Sequence, residues 1–133
     1  MYGLNEQYMN LSKLNKEYLR DGRLDAYADN LRKMAEILCK EGRIKDEIKC
    51  LLISFYIDIS GWNGKSKIIW RAIESISFYI VSGDIDMEGI KSIYDATIKR
   101  NILPSDTAII NLEEGFKILR NSMRLYCRKK NLL

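Results

Sequence analysis

One short segment of this sequence has the residue types of a phosphate-binding loop. In Gly64-Lys65-Ser66, backbone amides could cradle phosphates while the lysine reaches the terminal one. That motif requires a further glycine five residues before Gly64 and a preceding strand. Ile59 occupies that position, and the pattern before the segment is helical. The sequence therefore predicts an ordinary helix start here, capped by Ser66.

Three cysteines offer thiols, but the sequence lacks the groups that would activate them. Cys39, Cys50 and Cys127 form no Cys-x-x-Cys pair, and the chain contains no histidine. Histidine is the commonest general base and a common metal ligand, so its absence argues against both kinds of site. We expect reduced, mostly buried thiols, although Cys39 and Cys50 could face each other across a helical hairpin. The sequence predicts no catalytic residue, no cofactor and no metal.

The acidic residues that lie close together are explained by helix starts. Asp84 and Asp86 precede one expected helix, and Glu113 and Glu114 begin another. Anions at these positions stabilise the free amides of a helix amino terminus. Asp58 differs because it ends the most apolar segment, so we expect a partly buried carboxylate paired with a loop amide, a lysine or an arginine.

The last expected helix carries a concentration of cations. Arg120, Arg124 and Arg128 are spaced four residues apart, which places them on one side of a helix. Two interpretations stay open: a solvated helix end favoured by the helix dipole, or a face that contacts phosphates or an acidic protein. The candidate contacts for an anion or a nucleic acid are Lys117, Arg120, Arg124, Arg128, Lys129 and Lys130.

Candidate contacts with a partner protein lie in one loop and on the second expected helix. Trp62 is flanked by Gly61 and Gly64, and such an aromatic residue either plugs the end of a bundle or anchors a partner. Tyr27 and Leu31 belong to the helix that we expect to line a groove with the first helix. These three residues form the predicted protein interface.

The elements that position these residues are all predicted to be helices. Apolar residues recur at three- and four-residue spacing in nearly every segment, whereas strict alternation is not convincing anywhere. The third helix is apolar over most of its circumference and is expected at the centre of the fold. The predicted helices are 5–20, 25–40, 45–59, 66–81, one capped by Asp86 that ends near 99, and 111–130, with 101–110 left ambiguous.

Composition limits the class of protein. The chain has 133 residues and one proline, which favours one globular domain, 1–133, without long linkers. Its net charge is +4. The amino terminus lacks the pattern of a secretory signal. The densest apolar run, 50–57, is much shorter than the roughly 20 residues that cross a bilayer. We therefore expect a cytoplasmic protein with neither a membrane nor a metal partner.

The stretch from Leu31 to Ile59 resembles one tetratricopeptide repeat. Glu47 stands where the family usually has alanine, and Ile59 where it often has proline. No second copy is evident, and an array needs roughly three repeats for stability. The resemblance implies one such hairpin, and together with the helical pattern of the whole chain we predict a compact all-α bundle of about six helices that contains it. The matching residues are Leu31, Met34, Ala35 and Leu38 in the first helix, Gly42 in the turn, and Leu51 and Ser54 in the second helix.

The whole layout also resembles small uncharacterised proteins of Firmicute phages and mobile elements. The shared features are the segments 56–61 and 112–119, and this resemblance implies only a fold. We predict a non-enzymatic protein–protein interaction module, encoded by a phage or mobile element, that binds another protein or itself. The alternative is a regulator that contacts nucleic acid through the basic last helix.

Overall fold

The computed structural model describes the backbone of residues 2–60, 66–101 and 111–132, and the side chains of 6–60, 70–98 and 111–132. These residues form six α-helices and no strand, so the predicted all-α class is confirmed. Trp62 and residues 102–110 of the ambiguous segment 101–110 lie outside the described residues, whereas Asn101 ends the fifth helix. The helices are α1 (Tyr2–Arg20), α2 (Leu24–Lys40), α3 (Ile44–Ile59), α4 (Ser66–Val81), α5 (Met87–Asn101) and α6 (Leu112–Lys129).

The turns after α1 and α2 share one backbone geometry. Gly22 and Gly42 have φ angles of 70° and 74°, in the left-handed region that glycine adopts without steric cost. Arg23 and Arg43 both have φ −88° and ψ 74°, and each amide donates to the carbonyl five residues earlier. These are the hydrogen bonds of the Schellman motif. The two turns therefore connect α1 to α2 and α2 to α3 in the same way.

Two predicted helix caps are present. The Gly89 amide donates to Asp86 Oδ1 at 2.8 Å, in the first turn of α5. The Glu114 amide donates to Asn111 Oδ1 at 2.9 Å, in the first turn of α6. Each side chain satisfies an amide that has no partner within its helix, which explains why both starts could be predicted from the sequence.

α3 lies at the centre of the fold, as its sequence predicts. It packs against α2, α4 and α5, and every residue from 50 to 58 is buried. α1 packs on α2, and α6 packs on α4 and α5. A helix that is apolar on opposite faces gains stability only when neighbours cover both faces. None of the helices that the structure describes is long and apolar enough to span a membrane.

Buried polar groups tie α2 to its neighbours. Arg32 is 8% exposed and donates to Asp58 at 2.7 Å and also to Asp29. The predicted burial of Asp58 beside a cation is therefore confirmed. On the α1 side, Asn30 donates to the Leu11 carbonyl at 2.6 Å. These bonds offset the cost of removing polar groups from water.

Candidate functional site

A cleft of about 450 Å³ opens around the carboxyl-terminal half of α4. The end of α2, the start of α3 and the end of α6 contribute the other walls. Three apolar side chains on its surface are unusually exposed: Phe78 by 62%, Val81 by 46% and Leu132 by 41%. Single exposed apolar residues are common, but three around one concavity are typical of a binding surface.

The same cleft contains a polar cluster of Glu47, Tyr79 and Cys39. Glu47 is only 4% exposed, and its Oε1 accepts a hydrogen bond from the Tyr79 hydroxyl. Cys39 Sγ lies 3.9 Å from Tyr79 Oη. In the resemblance predicted from the sequence, Glu47 stands where the tetratricopeptide family usually has alanine. Its carboxyl group is accommodated because a tyrosine from α4 satisfies it.

Burial controls the electrostatics of this cluster. It raises the pKa of Glu47, because a charged carboxylate loses its hydration inside the fold. The hydrogen bonds from Tyr79 and Cys39 act in the opposite direction on that pKa, since they stabilise the charged form. Burial is also the main cause that raises the pKa of Tyr79, and the hydrogen bond of Tyr79 to Glu47 is the second cause. None of the ion pairs among the described residues includes Glu47.

A smaller cleft of about 260 Å³ continues the first one along α2 and α4. Both clefts are lined by Cys39, Glu47 and Ser75. Arg71 of α4 pairs with Glu36 of α2 across this second cleft. Together the two clefts form one surface, which we call the α2–α4 groove.

Comparisons with protein-family models, curated proteins and solved structures find no match for this chain. Within the described parts of the chain, no three histidine, cysteine or acidic side chains are grouped in a way that could hold a metal ion.

The predicted interface residues of α2 are in the core rather than in the groove. Tyr27 and Leu31 are each 3% exposed, and burial raises the pKa of Tyr27 to about 12. This corrects the expectation that they line an open surface, because α1 and α3 cover the face of α2 that carries them. Trp62, the third predicted interface residue, lies outside the described residues.

The predicted basic residues divide into two groups. Lys117, Arg124 and Arg128 are exposed, Arg120 is half-buried, and all four lie on one side of α6. We call these four residues the α6 basic stripe. Lys129 does not belong to it, because at 3.6 residues per turn its Cα lies about 140° around the helix from that of Arg124.

The last two lysines of α6 have different surroundings from the stripe. The Lys129 ammonium lies 6.0 Å from the centroid of the Trp70 ring on α4. Lys130 occupies the carboxyl-terminal cap. The six cations predicted to contact an anion or a nucleic acid therefore do not share one face, since helical rotation and the position of α4 separate these two lysines from the other four.

The cysteines differ in their surroundings. Cys39 is exposed in the groove, whereas Cys50 and Cys127 are buried, and all three are free thiols. Burial raises the pKa of Cys50 to about 12, so this thiol stays protonated at neutral pH. The expected burial therefore holds for Cys50 and Cys127, whereas Cys39 is exposed.

Sequence reasoning missed the residues that form the groove, although two signals were present. Phe78 lies outside the apolar stripe of α4, and a large aromatic residue on the opposite face of a helix is a sign of exposure. The departure from the repeat pattern at Glu47 was the other signal. It could not reveal Tyr79 as the partner, because the two residues are 32 positions apart.

Proposed function

We propose that this chain is a protein-interaction module whose α2–α4 groove binds a segment of a partner protein. The observation that carries the proposal is the combination, in one groove, of exposed apolar side chains with a buried carboxyl group that has no cation among its described contacts. A few well-packed anchor residues supply most of the energy of a protein interface. The groove provides places for two kinds of anchor.

The first anchor is an apolar side chain. Phe78, Val81 and Leu132 would surround a leucine, methionine or phenylalanine of the partner. Complete burial of such a side chain contributes about 1.5–3 kcal/mol. The resemblance of the α2–α3 hairpin to a tetratricopeptide repeat supports this mode, because proteins with such repeats usually bind peptides.

A phage or mobile-element origin stays a prediction.

The second anchor is a lysine or arginine of the partner. It would form an ion pair with Glu47, and Glu74 in the same cleft would add a second negative charge nearby. A bound cation favours the charged form of Glu47 and so opposes the effect of burial on its pKa. The groove therefore fits a segment in which a basic residue lies within about one helical turn of an apolar residue.

Selection from a library of displayed random peptides tests this proposal. The wild-type protein should enrich peptides that carry a lysine or arginine within four positions of a large apolar residue. Phe78→Glu should abolish the enrichment, because it places a charge at the apolar anchor. Glu47→Gln should preserve the apolar preference and remove the basic one, since glutamine accepts a hydrogen bond but lacks the charge.

The control is Met9→Glu on α1, because Met9 is 57% exposed and does not line the groove. This variant should select the same peptides as the wild type. Enrichment of one consensus by the wild type and by Phe78→Glu alike would exclude the groove as the binding site.

A further inference from the structure

The α6 basic stripe is the most concentrated charge that the groove does not use. Four cations occur between Lys117 and Arg128, a length of about 16 Å at 1.5 Å per residue. Among the described ion pairs, none involves a cation of α6. Arg120 also has a buried Nε for which the described residues provide no hydrogen-bond acceptor. The stripe therefore presents positive charge that forms no ion pair within the described part of the protein, although the exposed Glu113 lies one turn before Lys117 on the same side of α6.

The residues around the stripe restrict what it can bind. Asn121, which lies between the cations, is exposed and polar. The exposed apolar residues of α6, Ile118 and Leu125, flank one edge of the stripe on the side of Lys129, and Leu125 lies about 60° around the helix from Arg128. A helix that binds a membrane surface places apolar residues beside its cations, and a protein hot spot usually contains an aromatic or apolar anchor. Within the stripe, the residue between the cations is the polar Asn121, so no apolar or aromatic anchor lies among them, and apolar residues adjoin only one edge.

We propose that the α6 basic stripe binds the phosphate backbone of double-stranded nucleic acid without reading its sequence. Arginines four residues apart are about 6 Å apart along the helix axis. Neighbouring guanidinium groups can therefore contact successive phosphates along a nucleic-acid backbone. Guanidinium groups match phosphate oxygens through paired hydrogen bonds. Single-stranded nucleic acid is held mainly by stacking on aromatic rings, which the stripe lacks, so the duplex fits better.

Salt dependence gives the proposal a quantitative test. Each phosphate that a cation neutralises releases counterions, and the slope of log K against log salt is about −0.9 per contact. Four contacts predict a slope of about −3 to −4 and an affinity about 100-fold weaker at 200 mM than at 50 mM salt. This binding would be independent of the groove, since no groove residue belongs to the stripe.

The experiment measures fluorescence anisotropy of two labelled 24-base-pair DNA duplexes of unrelated sequence, between 50 and 200 mM salt. Both duplexes should bind equally with the predicted slope. Arg124→Gln combined with Arg128→Gln should reduce the slope to about −2, because each lost contact removes about one unit. The matched control combines Lys129→Gln with Lys130→Gln, which removes the same charge away from the stripe and should leave the slope unchanged.

Several results would overturn the proposal. Equal losses in the two double variants would mean that net charge, rather than the stripe, attracts the duplex. Absence of binding at 50 mM salt would exclude a duplex site. Tighter binding to vesicles of 30% anionic lipid than to either duplex would assign the stripe to a membrane surface. Circular dichroism should show that both double variants are as helical as the wild type, because all four side chains are exposed.

Discussion

Gly115 allows α6 to approach two tyrosines of the core, and Gly115→Ala should be strongly destabilising. An added Cβ atom would overlap Tyr94 Oη and lie 3.2 Å from two ring carbons of Tyr56. Tyr94 is completely buried, and its hydroxyl donates to the Leu112 carbonyl at 2.9 Å. The hydroxyl could avoid the new methyl group only by giving up that hydrogen bond or by moving α6.

The expected magnitude follows from three terms. Overpacking of a core costs about 1–3 kcal/mol, and a buried hydrogen bond that is lost costs about 1–3 kcal/mol. Alanine gains about 1 kcal/mol over glycine as a helix former, which opposes both terms. The net loss for Gly115→Ala is therefore about 1–5 kcal/mol, with a central value of about 3 kcal/mol. For a domain of this size, it corresponds to a decrease of about 10 °C in Tm.

Urea unfolding followed by circular dichroism measures this loss, and a double-mutant cycle tests its cause. Tyr94→Phe alone should cost about 1–2 kcal/mol, because the Leu112 carbonyl loses its donor. In the double variant, the atom that overlaps the new Cβ is absent. The double variant should therefore be more stable than the sum of the two single changes predicts, by about 1–3 kcal/mol.

The control is Gly89→Ala in the first turn of α5. Its added Cβ would lie 2.8 Å from Ile85 Cγ1 and 3.2 Å from Asp86 Oδ1, both on side chains that are at least partly exposed. Movement of Asp86 would weaken its cap on the residue 89 amide by about 1 kcal/mol, which the gain of about 1 kcal/mol of alanine over glycine in a helix offsets. This variant should stay within about 1 kcal/mol of the wild type. Additive effects at positions 94 and 115, or a Gly115→Ala variant as stable as the wild type, would refute the close approach as the reason for this glycine.

Two further predictions concern the groove. Because burial raises the pKa of Glu47 in the folded state, its contribution to stability is greatest below the unfolded pKa and decreases as pH rises. Urea unfolding at several pH values should therefore show the wild type losing free energy of unfolding relative to Glu47→Gln as the pH rises above about 4, the usual pKa of a glutamate. A difference independent of pH would contradict the burial. In the native protein, a maleimide should label Cys39 alone, because Cys50 and Cys127 are buried. Mass spectrometry after brief labelling checks this, and Cys39→Ser should abolish the native labelling.

The candidate sites could be predicted from the sequence to different degrees. The stripe followed from the four-residue spacing of Arg120, Arg124 and Arg128, because neighbours on a helix face are determined by its geometry. Lys129 was grouped with them by closeness in sequence, although the same geometry places it on another side. The groove was not predicted, since Glu47 and Tyr79 are on helices that are separated in sequence.

The sequence by itself determined the helices and their ends. Glycines at positions 22 and 42 and the caps Asp86 and Asn111 act within one helical turn, so their effects are readable from neighbouring residues. The apolar circumference of α3 also implied its central position.

Only the tertiary structure decided which faces stay uncovered. Tyr27 and Phe78 are both aromatic residues on helices, yet one is 3% exposed and the other 62%. The difference arises because α1 and α3 pack on α2, whereas no described helix covers the outer face of α4. Local patterns specify that a helix has an apolar face, but the positions of neighbouring helices determine whether that face is core or binding surface.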